Sequence, residues 1–330
     1  MKTNRILGVL AFAAGVVLTA GLVLSSCKSD KTAKVSDNDE EEVDPDDESF
    51  FGNTDAFFSD VKTVEVGTAE EFIKALKNNR HIVITTEETL DLTEALDEMV
   101  ENGDLENYYD GGEPRYEPGV YFNVEYDGNS LVLNVLHDIY IEGPKGEGAS
   151  LQVSPRYADV LWFHKCNNIA IKNVTMGHTE AGDCSGDVIR LENSTNVLVK
   201  NCALFGCGVN GLSTTDCLGV QVRNSEVFGC SDCAFYFSDT NDVTVKGCKI
   251  FENSRAISAW DCEDIIFDDC RFSDHHGQLF TCYSDVLIKN SFIEHHMDDI
   301  THNVEFKNCE VEMDYRDAEY MPDVEEDEEE

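Results

Sequence analysis

Asn196-Val-Leu-Val-Lys-Asn-Cys-Ala-Leu-Phe205, Gly219-Val-Gln-Val-Arg-Asn-Ser-Glu-Val-Phe228 and Asp242-Val-Thr-Val-Lys-Gly-Cys-Lys-Ile-Phe251 align without a gap. Four more segments join the alignment, beginning at Asn168, Asp264, Asp285 and Asn303. Their first apolar positions are Ile169, Val197, Val220, Val243, Ile265, Val286 and Val304, separated by 28, 23, 23, 22, 21 and 18 residues. Apolar residues alternate within each segment, as at Val220 and Val222, which is the period of a strand with one buried face. No segment is long enough to bury that face alone, so consecutive turns must stack and share a core. Further short strands at 161–163, 189–191, 235–237 and 257–259 bring each coil to about three. A coil of just over twenty residues with three short strands predicts an all-β parallel β-helix; a propeller needs blades of roughly 40 residues or more.

Stacking puts equivalent residues about 4.8 Å apart, so the alignment predicts ladders. One is Asn173, Asn201, Asn224, Gly247, Asp269, Asn290 and Asn308, residue types that accept the left-handed backbone of a tight turn. Beside it run Val174, Cys202, Ser225, Cys248, Cys270, Ser291 and Cys309. A third is Cys166, Ser194, Cys217, Thr240, Cys262, Tyr283 and Thr301. Cysteine exchanging with Ser, Thr and Val reads as a small buried residue. Of the chain's 13 cysteines, most beyond Cys27 are therefore expected as buried thiols. Bridges between stacked pairs such as Cys248–Cys270 or Cys207–Cys230 stay open. Upstream, Thr68-Ala-Glu-Glu71 is a capping-box pattern opening an amphipathic stretch with Phe72, Ile73 and Leu76. That helix is expected to cover the N-terminal opening. Early strands are expected at 81–84, 121–124, 130–135 and 139–141, with 93–119 as a long excursion.

The ends of the 330-residue chain read differently. Lys2 and Arg5 precede an apolar run over 6–24 and then Leu24-Ser25-Ser26-Cys27. This order resembles a bacterial lipoprotein signal, which implies cleavage before Cys27 and its lipidation. Several acyl chains on one cysteine hold a protein stably to a membrane. Lys28 after the anchor resembles the outer-membrane sorting pattern, and the acidic run that follows resembles surface-export signals. Nine of the residues 37–48 and seven of 323–330 are acidic. Such blocks stay solvated and read as flanks rather than folded chain. The expected organisation is a signal peptide over 1–26, a lipidated acidic linker over 27–62, the β-helix over 63–313 and an acidic tail over 314–330. The formal net charge of −42 argues against nucleic acid, whose phosphates are bound by neutralising positive charge.

The coils at 63–313 resemble the pectate-lyase-like superfamily of right-handed parallel β-helices. The resemblance implies a single-stranded right-handed solenoid, a fold shared by lyases, glycoside hydrolases, tailspike-type binding proteins and adhesins, so it does not choose among activities. Compared with the polygalacturonase pattern, Asn210 stands where a catalytic carboxylate is expected, Ser231 replaces the first Asp of a pair and Asn253 occupies the histidine's place. Only Asp232 survives, whereas glycoside hydrolysis uses two carboxyl groups. The resemblance to pectate lyases implies Ca²⁺ held by carboxylates and an Arg or Lys base. Asp187, Asn210, Asp232 and Arg255 fall within a residue of one another when the coils are aligned, and Arg190 and Glu192 lie beside Asp187. These make Asp187, Asp232 and Arg255 the candidate catalytic set.

Two other constellations stand out. His275 and His296 share an offset in adjacent coils with Asp298 near them, a donor set suited to a transition metal. Lys172, Lys200, Arg223, Lys246, Lys289 and Lys307 recur once per coil, broken only by Asp268. The row points outward and could follow an acidic polysaccharide; equally, the Lys stems could cover sheet surface and neutralise nearby acids. Two functions follow as expectations: an envelope lipoprotein whose β-helix binds a glycan or protein partner without catalysis, or a Ca²⁺-dependent lyase of acidic polysaccharide, with a glycoside hydrolase behind it.

Overall fold

The structure is a computed structural model that describes residues 61–145, 148–180, 185–206, 208–295 and 303–313. Cys27 and both acidic runs lie outside the described residues. Among those described, the strands form three large sheets of ten, eight and nine strands. One coil runs Leu161–His164, Asn167–Lys172, Val174–His178; the next runs Ile189–Glu192, Thr195–Lys200, Ala203–Phe205. Each strand of a coil joins a different sheet and pairs in parallel with its equivalents above and below. Pairing in the ten-stranded sheet follows the alignment: Ile169, Val197, Val220, Val243, Ile265, Val286 and Val304 are successive Cα partners. All but Val304 are buried. Fully burying a side chain of this size contributes roughly 1.5–3 kcal/mol, so each coil gains most of its stability from the faces of its neighbours.

The corners are turned by residues that accept positive φ. Asn173, Asn201, Asn224, Asp269, Asn290 and Asn308 have φ between 47 and 56°, and Gly247 completes the row at 65°. A Cβ at Gly247 would lie 2.5 Å from Asn224 Oδ1, so glycine also relieves a close approach there. Amide-to-amide bonds occupy only part of the stack: Asn201 Nδ2 donates to Asn173 Oδ1 (3.2 Å), whereas Asn290 turns to Asp268 Oδ1 (2.8 Å).

The small-residue rows fill the space just inside these corners. Cys202, Cys248 and Cys270 point their thiols at the carbonyls of Ile171, Val222 and Val245. Where Ser replaces Cys, its hydroxyl also accepts from the coil before, as Ser225 Oγ does from Cys202 N (3.1 Å). None of the ten described cysteines forms a disulfide, including the stacked Cys248 and Cys270; Cys207 lies outside the described residues. Burial pushes the Cys166 and Cys202 thiols up to about 12, which removes the thiolate that exchange chemistry needs. One ladder needs correction. Cys262 N donates to Ser284 Oγ at 2.8 Å, so Ser284, not Tyr283, continues the row from Cys166. Tyr283 stacks instead on Trp260 and is 64% exposed.

The N-terminal end carries two helices. Thr68 caps the first, Ala69–Ala75: its Oγ1 accepts from Glu71 N (3.2 Å), and Glu71 reaches back to Gly67 N (2.9 Å). Phe72, Ile73 and Leu76 are buried in the same core as Ile82 and Ile84. The expected excursion at 93–119 is in fact partly helical. Leu92–Glu101 is a helix capped by Asp91 that buries Leu92, Ala95, Leu96 and Met99. The i, i+3, i+4, i+7 spacing of those residues is a helical stripe hidden by the acids between them. After it, Gly119–Val124 pairs antiparallel with Asn129–Asn134 and forms the end of the eight-stranded sheet.

Candidate functional site

The outer face of the eight-stranded sheet gathers most of the chain's chemistry. Alternation sends Leu161 and Phe163 inward and Trp162 and His164 outward, and register repeats that choice down the stack. One outward row is Trp162, Arg190, Ser213, Tyr236, Ser258 and Thr281. A second is His164, Glu192, Thr215, Ser238 and Trp260. Along the edge where the strands begin, Asn210 pairs with Cys233 and Cys233 with Arg255. Asp187 joins this edge through Asn210 Nδ2, which donates to its Oδ1 at 2.9 Å.

The candidate set Asp187, Asp232 and Arg255 is therefore on one edge, with Asp232 one residue from the rung that Cys233 holds between Asn210 and Arg255. Asp232 sits beside it and accepts from Arg255 Nε at 2.7 Å. Arg255 Nη2 closes on the same oxygen. Asp187 is buried: its other oxygen accepts from the Ser213 hydroxyl. Asn253, in the place of the resembled histidine, is a structural peg. It is fully buried, its Oδ1 accepts from Cys230 N (2.9 Å), and its Nδ2 donates to Val227 O (3.0 Å) and Phe251 O (2.9 Å).

A second carboxylate stands next to Asp187, one that the sequence reading missed. Asp159 is 3% exposed; its Oδ1 accepts from Asp187 N (2.8 Å) and its Oδ2 faces Arg190 Nη1 at 3.4 Å. Burial, reinforced by the Asp187 charge, pushes Asp159 up to about 8. Burial also raises Asp187 to about 6, against the pull of its bonds from Ser213 and Asn210. Arg190 is shared between Asp159 and Glu192 and lies 4.1 Å over the Trp162 ring. Asp159 lies 28 residues before Asp187, the same step as Ile169 to Val197, so the alignment contained it.

The N-terminal half of this face is roofed. Tyr108 is 1% exposed, packs on Trp162 and Tyr121, and brings its hydroxyl 2.7 Å from His164 Nδ1. The C-terminal half is open. There Trp260 and Tyr283 stack with centroids 3.9 Å apart, 39% and 64% exposed.

The other constellations fare differently. His275 is buried with Nδ1 3.3 Å from Asn253 O and Nε2 3.1 Å from Ile250 O. Burial drops its pKa to about 4. Both ring nitrogens face main-chain carbonyls, so His275 does not offer a metal the outward lone pair the sequence suggested; a turn residue here folds into the coil. His296 and Asp298 lie outside the described residues. Among the described residues no three His, Cys, Asp or Glu gather as a metal site. The basic row is in register: Lys172, Lys200, Arg223, Lys246, Asp268, Lys289 and Lys307 are successive partners. Lys172 and Lys200 line a groove of about 700 Å³ with Asn173 and Asn201. Farther along the charge is answered locally, Lys289 by Asp268 (3.6 Å) and Lys307 by Glu305 (3.2 Å), and Arg223 is buried.

With this geometry the chain is an all-β parallel β-helix. The family model described as "Right handed beta helix region" matches residues 156–293. No curated protein sequence matches the chain significantly. Among solved structures it is similar to pectate lyase Pel9A, at 10% identity over 77% of this chain and 78% of that one, with a TM-score of 0.44. It is similar to a pectate lyase of Paenibacillus sp. 0602, at 11% identity over 78% of each chain, TM-score 0.46. It is also similar to PfbA, a surface adhesin of Streptococcus pneumoniae, at 12% identity over 77% and 76%, TM-score 0.35.

Proposed function

We propose that this protein is an envelope lipoprotein whose β-helix binds polysaccharide, without cleaving it, along the open half of the eight-stranded sheet. The observation that carries this reading is the exposed Trp260–Tyr283 stack near the half-buried Tyr236 and Ser238 and the exposed Asp239 and Asp261. A pyranose ring has an apolar C–H face and a hydroxyl rim. Flat aromatic surface next to hydrogen-bonding groups suits both parts at once. Binding rather than hydrolysis is supported by how the carboxylates are engaged. Asp232 is bound by Arg255, and Asp187 by Asn210 and Ser213. Hydrolysis needs one carboxyl group as acid and a second acting across the scissile bond. Asp159 lies behind Asp187, hydrogen-bonded to its main chain, rather than across from it.

Affinity electrophoresis through gels containing dissolved polysaccharides tests this reading. Retardation by at least one polysaccharide is expected, with Trp260→Ala weakening it about tenfold or more, as for a central aromatic anchor. Release of unsaturated oligosaccharide from a uronate polymer, followed by absorbance with and without Ca²⁺, would replace binding by lyase activity. The lipid anchor has its own test. The full chain should enter the detergent phase on Triton X-114 partition of its cells, and Cys27→Ser should move it to the aqueous phase. An unchanged distribution of that variant would remove Cys27 as the anchor.

A further inference from the structure

We infer that the polysaccharide bound on this face is uncharged: a neutral hexopyranose chain whose hydroxyls donate to a row of aspartates beside the Trp260–Tyr283 platform. This inference rests on the binding reading above and specifies its ligand.

The row is Asp216, Asp239 and Asp261. Each follows the last residue of a strand of the eight-stranded sheet, at Thr215, Ser238 and Trp260, which are successive partners. The main chain confirms the stacking: Asp216 N donates to Ser238 O (3.2 Å) and Asp239 N to Trp260 O (3.0 Å). All three hold a left-handed backbone, with φ of 53, 48 and 52°, and all three are exposed. Their backbones thus stand one rung apart, about 4.8 Å, with Asp261 next to Trp260 in the chain and the Asp239 Oδ2 accepting from Ser238 Oγ at 3.1 Å. Among the described residues no ion pair involves them.

The positive groups of the face do not offset this charge. Arg255 is held by Asp232, and Arg190 by Glu192 and Asp159. Lys165, at the roofed end, lies over the Tyr116 ring. A polyuronate laid on the platform would run its own carboxylates along the aspartate row, like charge against like, on a chain already at −42. A neutral sugar meets the same row as a set of acceptors. Carboxylates bind hydroxyl donors through strong charge-assisted bonds, and a hexopyranose has several hydroxyls around a ring stacked on the aromatics. Trp260 and Tyr283 cover one face of each other, so their remaining exposed surface supplies area and the carboxylates supply orientation.

The test uses the full soluble chain lacking its signal, with hydroxyethyl cellulose, galactomannan and mixed-linkage β-glucan as neutral probes. Polygalacturonate and alginate serve as acidic probes, each with EDTA and again with Ca²⁺. The expected result is retardation by a neutral probe, at least tenfold stronger than by either uronate. That binding should be weakened about tenfold or more in Trp260→Ala and several-fold in Asp239→Asn with Asp261→Asn. Circular dichroism and melting of each variant separate a lost site from a lost fold. Preferential binding of a uronate, in EDTA or only with Ca²⁺, overturns the neutral ligand while leaving a glycan-binding face. Neutral binding that ignores both the Trp260 and the aspartate variants overturns the site. Binding to no probe overturns the inference together with the reading beneath it.

Discussion

Phe267→Ala should destabilise the protein by about 3–5 kcal/mol, the range for removing a fully buried aromatic ring. Phe267 occupies the inward position shared with Val199, Val222 and Val245 in earlier coils and with Ile288 after it. Unlike those aliphatics, it meets rings from both of the other large sheets. Its centroid lies 5.5 Å from Phe235 and 6.4 Å from Phe237 on the eight-stranded sheet, and 5.8 Å from Phe272 on the nine-stranded sheet. Truncation would open a hole at the point where the three sheets touch, and neighbouring rings held by their own coils could not close it. Because a solenoid's stability is a sum of coils and interfaces between adjacent coils, the loss should also uncouple the C-terminal coils from the rest. Urea unfolding should show a lowered midpoint, and hydrogen exchange should rise first beyond residue 265. A loss below about 1 kcal/mol would mean that the coil collapses onto the vacated space and that the ring cluster is not a joint between sheets.

The same register that places Phe267 explains what could be read from the sequence. Ile169 through Val304, the asparagine corners and the basic row each repeat one environment at one-coil spacing, so each appears as a column when segments are aligned. Contacts that do not repeat left no column. Tyr108 comes from the stretch between the second helix and the antiparallel strand pair, and its place over Trp162 depends on how that stretch folds back. The helix Leu92–Glu101 was hidden for a different reason: its buried stripe is dispersed among acids on its solvent side. Tyr283 and His275 show the limits of counting. The step is 23 residues from Ala259 to its partner Cys282 but 21 from Ile265 to Val286. Sheets in one coil thus drift against each other, and a side chain one residue off changes from inward to outward. Asp187, Asp232 and Arg255 were brought to one edge as the alignment implied. Their partners decide their chemistry: Asp159 stood one coil step before Asp187 in the alignment, whereas Ser213 comes from a position that alignment alone marks as ordinary.

Those partners lead to the second large effect: Asp159→Asn should make the protein more stable at pH 8 than the parent, with the advantage shrinking toward pH 4. In the unfolded chain an aspartate titrates near 3.9; in the fold, burial and the Asp187 charge hold Asp159 up to about 8, and burial raises Asp187 to about 6. Below about pH 4 both carboxyls are protonated in either state, and the favourable contribution of the protonated pair is fully present. As pH rises, the unfolded chain releases protons that the folded chain retains. The unfolded state then binds fewer protons, so stability falls with pH until Asp159 itself ionises near 8. Asparagine keeps an oxygen for the Asp187 N–H and removes the proton equilibrium, while Arg190 retains Glu192. One pKa unit corresponds to 1.36 kcal/mol, so even two units of the raised pair amount to about 3 kcal/mol between pH 4 and pH 8. The gain should appear as a flatter stability–pH curve from urea unfolding, and infrared bands of a protonated carboxyl should vanish from the variant near neutral pH. Parallel curves for parent and variant would show that Asp159 and Asp187 ionise independently, each already neutralised by Arg190, and the carboxylate pair would then carry no stored charge at all.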